Sequence, residues 1–189
     1  LHCPDEPVEA ALAQALGDGP LGDLLDIGTG TGRMAELFAP AARRVTAFDK
    51  SPDMLRIARA RLQHLPAGRL DLVQGDFAAL PFAAASFDTV LFHQVLHYAL
   101  APEAALAEAA RVARPGARIA VVDFAAHDRE ELRSAHAHAR LGFTDEQMLA
   151  LLSGAGFSAE PAVALPGHPL TVKVWTGQRV GARAKAVAS

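Results

Sequence analysis

Three glycines that alternate with threonines follow an apolar run that contains one acid. The stretch LLDIGTGTGR covers residues 24–33, with glycines at 28, 30 and 32 and a carboxylate at Asp26. Such glycines let the backbone turn tightly and approach a ligand closely. A dinucleotide fingerprint, G-x-G-x-x-G, would need its third glycine at position 33, where this chain has arginine. Asp26 would also repel a pyrophosphate, so the pattern favours a ligand with an ammonium group. The alternative is a tight turn without a ligand, with Asp26 as a local cap.

A second acid follows at a distance that suits a ribose. Asp49 lies about 20 residues after Gly28, where a second apolar run ends, and an acid there can accept hydrogen bonds from both ribose hydroxyls. Asp49 or Asp53 could instead cap the helix that begins at Pro52, although Ser51 is the better cap. With the ammonium argument, this favours S-adenosylmethionine, which has an amine and no phosphate.

The third motif could contact an adenine. In QGDFAALPF, residues 74–82, Asp76 could accept a hydrogen bond from the exocyclic amine while Phe77 flanks the base. Taken alone, Gly-Asp-Phe is a common loop, and its value lies in its position after the third predicted strand.

The fourth motif, FHQVLHY at 92–98, contains two histidines. His93 and His97 are four positions apart and could both face a cleft if a helix starts at Gln94. Without a nearby Glu or Cys partner, this spacing is weak support for zinc, and no metal site is predicted. One histidine could touch the cofactor and the other line a substrate pocket, or both could be satisfied polar residues.

A later segment, HDREELRSAHAHARLGF at 127–143, contains His127 and His136 among many charges. For most of these residues a solvated helix is the simpler interpretation. The segment follows the fifth predicted strand, so it could fold over the mouth of the cleft. A histidine that faces the pocket there could act as a base near neutral pH.

Apolar runs alternate with helical patterns, and this order must position the motifs. Strands are predicted at 21–28, 44–49, 69–76, 87–93, 117–124, 157–165 and 170–177; helices are predicted at 34–39, 52–62, 102–113, 130–141 and 144–153. The alternation predicts an α/β fold with a mostly parallel sheet covered on both faces. Nothing helical separates the last two strands, so they are expected to pair antiparallel. Ligands bind beyond the carboxyl ends of such strands, where every motif above lies.

Composition limits the alternatives. The 189 residues are 51% hydrophobic, which predicts one domain over 1–180 and a flexible tail over 181–189. A net charge of −3 argues against direct nucleic-acid binding. No apolar run is long enough to cross a bilayer, and no signal peptide is recognisable. A lone cysteine, Cys3, fits a reducing, cytoplasmic location.

The motifs together resemble a known family. In order, LLDIGTGTGR, VTAFDKSPDML, VQGDFAALPF, SFDTVLFHQVLHY and RVARPGARIAVVDF are similar to the successive motifs of class I S-adenosylmethionine-dependent methyltransferases, over residues 21–124. The resemblance is to the ubiquinone/menaquinone-biosynthesis branch (methyltransferase type 11). It extends to methyltransferase domains fused behind winged-helix regulators of the arsenic-repressor type. The resemblance implies a Rossmann-like, doubly wound, seven-stranded, mostly parallel sheet with an antiparallel last strand.

The resemblance also implies roles for the motif residues. Asp26 would bind the methionine amine, directly or through water, and Asp49 would hold the ribose. The glycine turn would lie beside the methionine moiety and the other residues would surround the adenosine and the methyl end. The implied cofactor-binding residues are Asp26, Gly28, Thr29, Gly30, Gly32, Asp49, Lys50, Met54, Asp76, Phe77, Phe92 and His93.

The resemblance does not identify the residues that bind the methyl acceptor, because these residues vary within the family. Candidates are His97, Tyr98, His127 and His136, with His97 or His136 as a base or an orienting residue. The predicted activity is methyl transfer to a small-molecule acceptor, and a homodimer is possible. An acceptor that ionises readily would need no strong base, and arsenic is the least supported acceptor because the chain has one cysteine.

Two other functions compete with methyl transfer. The first is a non-catalytic S-adenosylmethionine sensor, which binding without turnover on any acceptor would favour. The second is an NAD(P)-dependent oxidoreductase. The early third glycine, Asp26 and the lack of a Tyr-x-x-x-Lys pair at Tyr98 argue against it.

Overall fold

A single sheet with helices on both faces forms the protein in the computed structural model, which describes residues 5–129, 139–165 and 170–181. The strands are β1 (Gly22–Ile27), β2 (Ala42–Asp49), β3 (Leu70–Gln74), β4 (Phe87–His93), β5 (Ala113–Phe124), β6 (Phe157–Ala159), β7 (Val163–Leu165) and β8 (Val172–Arg179). The helices are α1 (Asp5–Leu16), α2 (Arg33–Phe38), α3 (Pro52–Leu62), α4 (Pro102–Val112) and α5 (Asp145–Ala155), with a 3₁₀ turn at Leu96–Tyr98.

The strand order across the sheet is β3-β2-β1-β4-β5-β8, with β6 and β7 together along the outer edge of β8. The first five strands pair in parallel, and β8 runs antiparallel to β5. The short strands β6 and β7 pair with different ends of β8, so they share one position in the sheet. The predicted doubly wound α/β sheet, mostly parallel with an antiparallel last strand, is therefore confirmed.

Strands β1 and β4 are neighbours, although β2 and β3 lie between them in the sequence. The chain leaves β1 toward one edge of the sheet and continues after β4 toward the other. A crevice opens at such a switch point, beyond the carboxyl ends of the strands. The segments that follow β1, β2 and β4 meet there.

Two apolar layers hold the helices on the sheet. Alternate residues of β1 face opposite layers, because successive side chains of a strand point to opposite faces. Leu25 and Ile27 pack in the layer that contains α4 and α5, whereas Leu24 packs in the layer that contains α1, α2 and α3. All three side chains are fully buried, so β1, which carries the glycine turn at its end, lies in the centre of the core.

Helix α1 was not among the predicted elements. Its buried stripe consists of Val8, Leu12 and Leu16, four residues apart, in a segment otherwise rich in alanine. Alanine suits either face of a helix, so the buried and the exposed face of α1 are hard to tell apart in the sequence. Arg33, at the start of α2, donates from Nε and Nη2 to the Glu9 carboxylate at 2.7 and 3.0 Å and ties α1 to the helix after the glycine turn.

Helix α3 begins as predicted, at its Ser51 cap. The Ser51 hydroxyl accepts a hydrogen bond from Met54 N–H at 3.3 Å, as an N-cap does. The buried residues of α3 are Leu55, Ala58 and Leu62, whereas Met54 and Ile57 are exposed. Met54 is 38% exposed.

Other boundaries differ in detail. The predicted strand 157–165 is interrupted around Pro161, which has no N–H to donate to β8. The capping box of Thr144 and Gln147 at the start of α5 is confirmed in both directions. In the predicted helix 130–141, residues 130–138 lie outside the described residues and 139–141 are not helical. The predicted tail lies outside them from residue 182 onward. No described helix is long and apolar enough to span a membrane.

Candidate functional site

A cleft of about 470 Å³ opens at the carboxyl ends of β1, β2 and β4. Its lining comes from the glycine turn, the end of β2, the start of α3, the loop after β3 and the segment after β4. The residues are Gly28, Gly30, Asp49, Lys50, Met54, Phe77, Gln94, Val95 and Tyr98. Another depression, at the opposite ends of β2 and β3, has its charged groups already paired: Arg44 with Asp71 at 2.6 Å, and Asp23 with Arg43 and Arg114.

The glycine turn needs its glycines for two separate reasons. Gly28, at a φ of 72°, faces the segment after β4: an added Cβ would lie 2.7 Å from Val95 Cβ. Gly30, at a φ of 53°, faces open space. The N–H groups of Gly28 and Thr29 donate to the Phe48 carbonyl at 2.8 and 3.0 Å, which fixes the turn against the end of β2. The turn is closed on the protein side and open on the cleft side.

Asp49 joins three elements of the cleft. Its Oδ2 accepts from Gly30 N–H at 2.9 Å, and its Oδ1 accepts from Ser51 N–H at 2.8 Å. The carboxylate therefore ties the glycine turn to the start of α3. A carboxylate has about four lone-pair sites, so two remain for a ligand.

Asp26 lies beneath the turn rather than in the cleft. Its side chain is fully buried, and its Oδ2 accepts a hydrogen bond from the Thr29 hydroxyl at 2.6 Å. Its Oδ1 makes no hydrogen bond of normal geometry. Burial raises the pKa of Asp26 to about 6, with a smaller contribution from the charge of Asp49, against the lowering effects of Thr29 and the Ala35 amide. A positive group above the turn would favour its ionised form.

The segment after β4 forms the opposite wall and was only partly anticipated. Gln94 has a φ of 51°, rare for a residue with a side chain, and its N–H donates to the Val122 carbonyl at 2.7 Å. This turn, and not the helix start considered at Gln94, leads into the 3₁₀ turn and brings Val95 and Tyr98 to the cleft. Nothing in the sequence marks Gln94 or Val95, because neither type is specific for such a turn.

Residues 25–121, just over half of the chain, match the family described as "Methyltransferase domain". The chain belongs to this methyltransferase family. Class I members use S-adenosylmethionine, the cofactor that the motifs predict. The family and the fold predicted from those motifs are thus confirmed.

Relatives and solved structures agree with the family. The chain is 37% identical over 113 residues to a demethylmenaquinone methyltransferase of Renibacterium salmoninarum, covering 60% of this chain and 46% of that one. It is 44% identical over 105 residues to a ubiquinone/menaquinone biosynthesis C-methyltransferase of Paracoccus denitrificans, covering 53% and 42%. The chain thus spans less than half the length of these relatives.

Two solved structures show the extent of the shared fold. The 1,6-didemethyltoxoflavin-N1-methyltransferase of Burkholderia thailandensis, with S-adenosylhomocysteine bound, has a TM-score of 0.71 at 27% identity, over 93% of this chain and 77% of that one. A methyltransferase structure from Bacillus halodurans has a TM-score of 0.80 at 21% identity, over 92% and 99%.

The lining of the cleft is chemically compatible with the cofactor of this family. Gly30 leaves room for close approach, Gly28 lines the cleft, and Asp49 retains acceptor sites. Met54 and Phe77 supply apolar faces on the β2 and β3 side. Asp76 lies beside Phe77 and accepts from Ala78 N–H at 2.8 Å, at an exposed position. These placements leave the predicted binding roles open to test.

Other predicted cofactor residues lie elsewhere. The Phe92 side chain is fully buried in the layer with α4 and is not part of the cleft lining, and its predicted place beside the cofactor stays a prediction. His93 is half-buried and is not part of the cleft lining. Thr29 supports Asp26 from a buried position. Gly32 caps α2, where an added Cβ would lie 3.1 Å from Ala58 and Leu62.

The candidate catalytic histidines have different outcomes. His97 is 2% exposed and lies behind the wall, with Nδ1 2.7 Å from Asp123 Oδ1. His127 is half-buried and packs edge-on against Phe124 at 6.3 Å. His136 lies outside the described residues. Within the described part of the chain, no group of His, Cys, Asp and Glu could hold a metal ion.

Proposed function

We propose that this chain binds S-adenosylmethionine in the cleft and transfers its methyl group to a small-molecule acceptor. The observation that carries the proposal is Asp49, which joins the glycine turn to α3 and keeps acceptor sites toward the cleft. In this proposal Asp49 holds the ribose, and Met54 and Phe77 flank the base. Gly30 allows the methionine part to approach the turn, and Gly28 allows the turn to pack against Val95.

Asp26 acts on the methionine amine through the turn or a water, since its side chain is buried. The ammonium favours the ionised form of this carboxyl, which burial disfavours. A pyrophosphate at the same place would do the opposite. Asp26 therefore contributes to the choice of cofactor.

The bound cofactor supplies an electrophilic methyl group on its sulfonium. The chain's own residues position the acceptor and exclude water, and positioning alone can lower a barrier by ~7–11 kcal/mol. His97 is buried behind the wall, so it orients rather than removes a proton. We infer that the acceptor ionises without a strong base, as a quinol does, in keeping with the quinone names of the relatives.

Calorimetry with S-adenosylmethionine, S-adenosylhomocysteine and NAD tests the cofactor. We expect micromolar binding of the first two and none of NAD. Asp49→Ala should weaken binding by on the order of 100-fold, because two charge-assisted hydrogen bonds at about 1.5 kcal/mol each are lost. Asp53→Ala, an exposed acid four residues along, is the matched control and should bind normally. Binding of NAD alone would refute the proposal.

Methyl transfer is tested with radiolabelled cofactor and a short-chain demethylmenaquinol as the probe acceptor. Label in the quinol, lost in Asp49→Ala and kept in Asp53→Ala, is the expected result. Cofactor binding without transfer to this or other small acceptors would favour the sensor function instead.

The proposal also keeps three predictions made from the sequence. They are the lack of direct nucleic-acid binding, a possible homodimer and a cytoplasmic location. Size-exclusion chromatography with light scattering tests the dimer.

A further inference from the structure

The wall after β4 is held from behind by a fully buried acid. Asp123, near the end of β5, accepts from His97 N–H at 3.1 Å through Oδ2. Its Oδ1 lies 2.7 Å from His97 Nδ1 and accepts from Phe124 N–H at 2.8 Å. A carboxylate can only accept, so Nδ1 is the donor and the ring orientation of His97 is set by Asp123.

His97 connects this acid to the cleft. Its ring centroid lies 4.1 Å from that of Tyr98 and 5.1 Å from that of Phe124. Tyr98 lines the cleft and is 43% exposed, whereas His97 is 2% exposed. The His97 carbonyl also accepts from Arg140 N–H at 3.0 Å, so both backbone polar groups of His97 are held.

The order of strands indicates which end of the cleft Tyr98 occupies. Asp49 lies on the β2 side, the glycine turn follows β1, and Tyr98 lies on the β4 side. If Asp49 holds the ribose, as the proposed function has it, the nucleoside lies toward β2. The reactive end of the cofactor then points toward Tyr98.

We propose that Asp123 and His97 are positioning residues that hold the ring of Tyr98 as the surface against which a planar, unsaturated methyl acceptor packs. An aromatic face with a hydroxyl at its edge suits such a ring, which can stack on it and accept a hydrogen bond. Naming this end the acceptor end rests on the proposed function. Burial and the negative charge of Asp123 raise the pKa of Tyr98, so its hydroxyl stays a donor.

Tyr98 is the only tyrosine in the chain, so an alkaline absorbance titration reports on it alone. We expect a pKa above the ordinary value in the wild type and a lower one in Asp123→Asn, which removes the charge and keeps the size. Asp53→Asn is the control and should leave the titration unchanged. If Asp123→Asn does not fold, Asp123→Ser replaces it, with the same direction expected because it also removes the charge. An unchanged Tyr98 titration in the folded variant would overturn the proposal.

A pair of substitutions at His97 separates positioning from bulk. His97→Asn keeps a donor near the place of Nδ1, whereas His97→Leu has none. With short-chain demethylmenaquinol as the probe, His97→Leu should lower kcat/KM for the acceptor on the order of 10- to 100-fold, the size expected of a misplaced reactant. His97→Asn should restore most of it, and both should bind S-adenosylhomocysteine as the wild type does.

Equal losses in acceptor turnover and S-adenosylhomocysteine binding would refute the proposal, because the wall would then belong to the cofactor pocket. The Tyr98 titration needs neither cofactor nor acceptor. Its result therefore stands even if the chain methylates nothing, and the failure of this inference can be told from a failure of the proposed function.

Discussion

Asp26 illustrates what a single residue type can and cannot reveal. Its place before the glycine turn favoured an ammonium ligand over a pyrophosphate, and the chain belongs to a family with such a cofactor. Its full burial beneath Thr29 was not foreseeable, because the sequence does not show toward which side of the turn the carboxylate points. The side-chain direction of Phe92 was not foreseeable either: it lies one residue before the end of its strand, and its side chain faces the core.

The buried carboxyl of Asp26 predicts that the folded protein loses stability as the pH rises. Its pKa is raised from 3.8 to about 6 in the folded protein. The folded state therefore binds the proton more tightly, and its stability falls as the pH rises from about 4 to about 6. The full effect is about 3 kcal/mol above that range. Asp26→Asn should remove this slope.

Urea unfolding without cofactor, at about pH 5 and about pH 7.5, checks this. The gain of Asp26→Asn over the wild type should be larger at the higher pH. Asp53→Asn, at an exposed site, should show no such difference. A gain that is larger at the lower pH would contradict the assignment.

Among the elements, those with strong local signals were predicted well. Helix α5 begins at its capping box, and β4 has the predicted bounds of 87–93. The turn at Gln94 and helix α1 were missed, because the first depends on a long-range hydrogen bond to Val122 and the second on three spaced side chains among alanines.

The glycine turn predicts a separation of folding from binding. Gly28→Ala should destabilise the fold and abolish cofactor binding, since its methyl group would overlap Val95. Gly30→Ala should cost only about 1 kcal/mol of stability, from its positive φ, and yet weaken cofactor binding because it lines the cleft. Thermal unfolding and calorimetry on both variants measure the two effects. Equal stability losses would show that the turn is not packed as described.

The end of α5 offers a matched pair of glycines. Gly156, just after the helix, has a φ of 92°, whereas Gly154 lies within the helix with open space around it. Gly156→Ala should lower the free energy of unfolding by at least about 1 kcal/mol, from the left-handed backbone and because its Cβ would lie 2.5 Å from Arg179 Nη1. Gly154→Ala should raise it by about 0.5–1 kcal/mol, because alanine is the better helix former. Urea unfolding of both variants is the measurement, and a gain from Gly156→Ala would contradict the cap.

At the scale of the molecule, the layered architecture followed from alternation of apolar runs and helical patterns. The contribution of α1 to one of the two apolar layers could not be predicted from that pattern. Leu12 is fully buried there, whereas Gln14, in the same helix, is exposed. Leu12→Ala should cost about 2–5 kcal/mol of stability, as a core truncation does, and Gln14→Ala should change it by less than about 0.5 kcal/mol. Thermal or urea unfolding tests the pair, and equal effects would remove α1 from the core.

The position of β8 has a consequence for the order in which the chain can fold during synthesis. Helix α1 packs against β5, β7 and β8, and β8 lies between β5 and the short strands at the edge. A nascent chain leaves the ribosome from its N-terminus at about 5–20 residues per second, so this early helix waits for a partner made more than 150 residues later. Until then the part of α1 that contacts β8 and the bare edge of β5 stay exposed. Chaperones that hold nascent chains would bind these two surfaces.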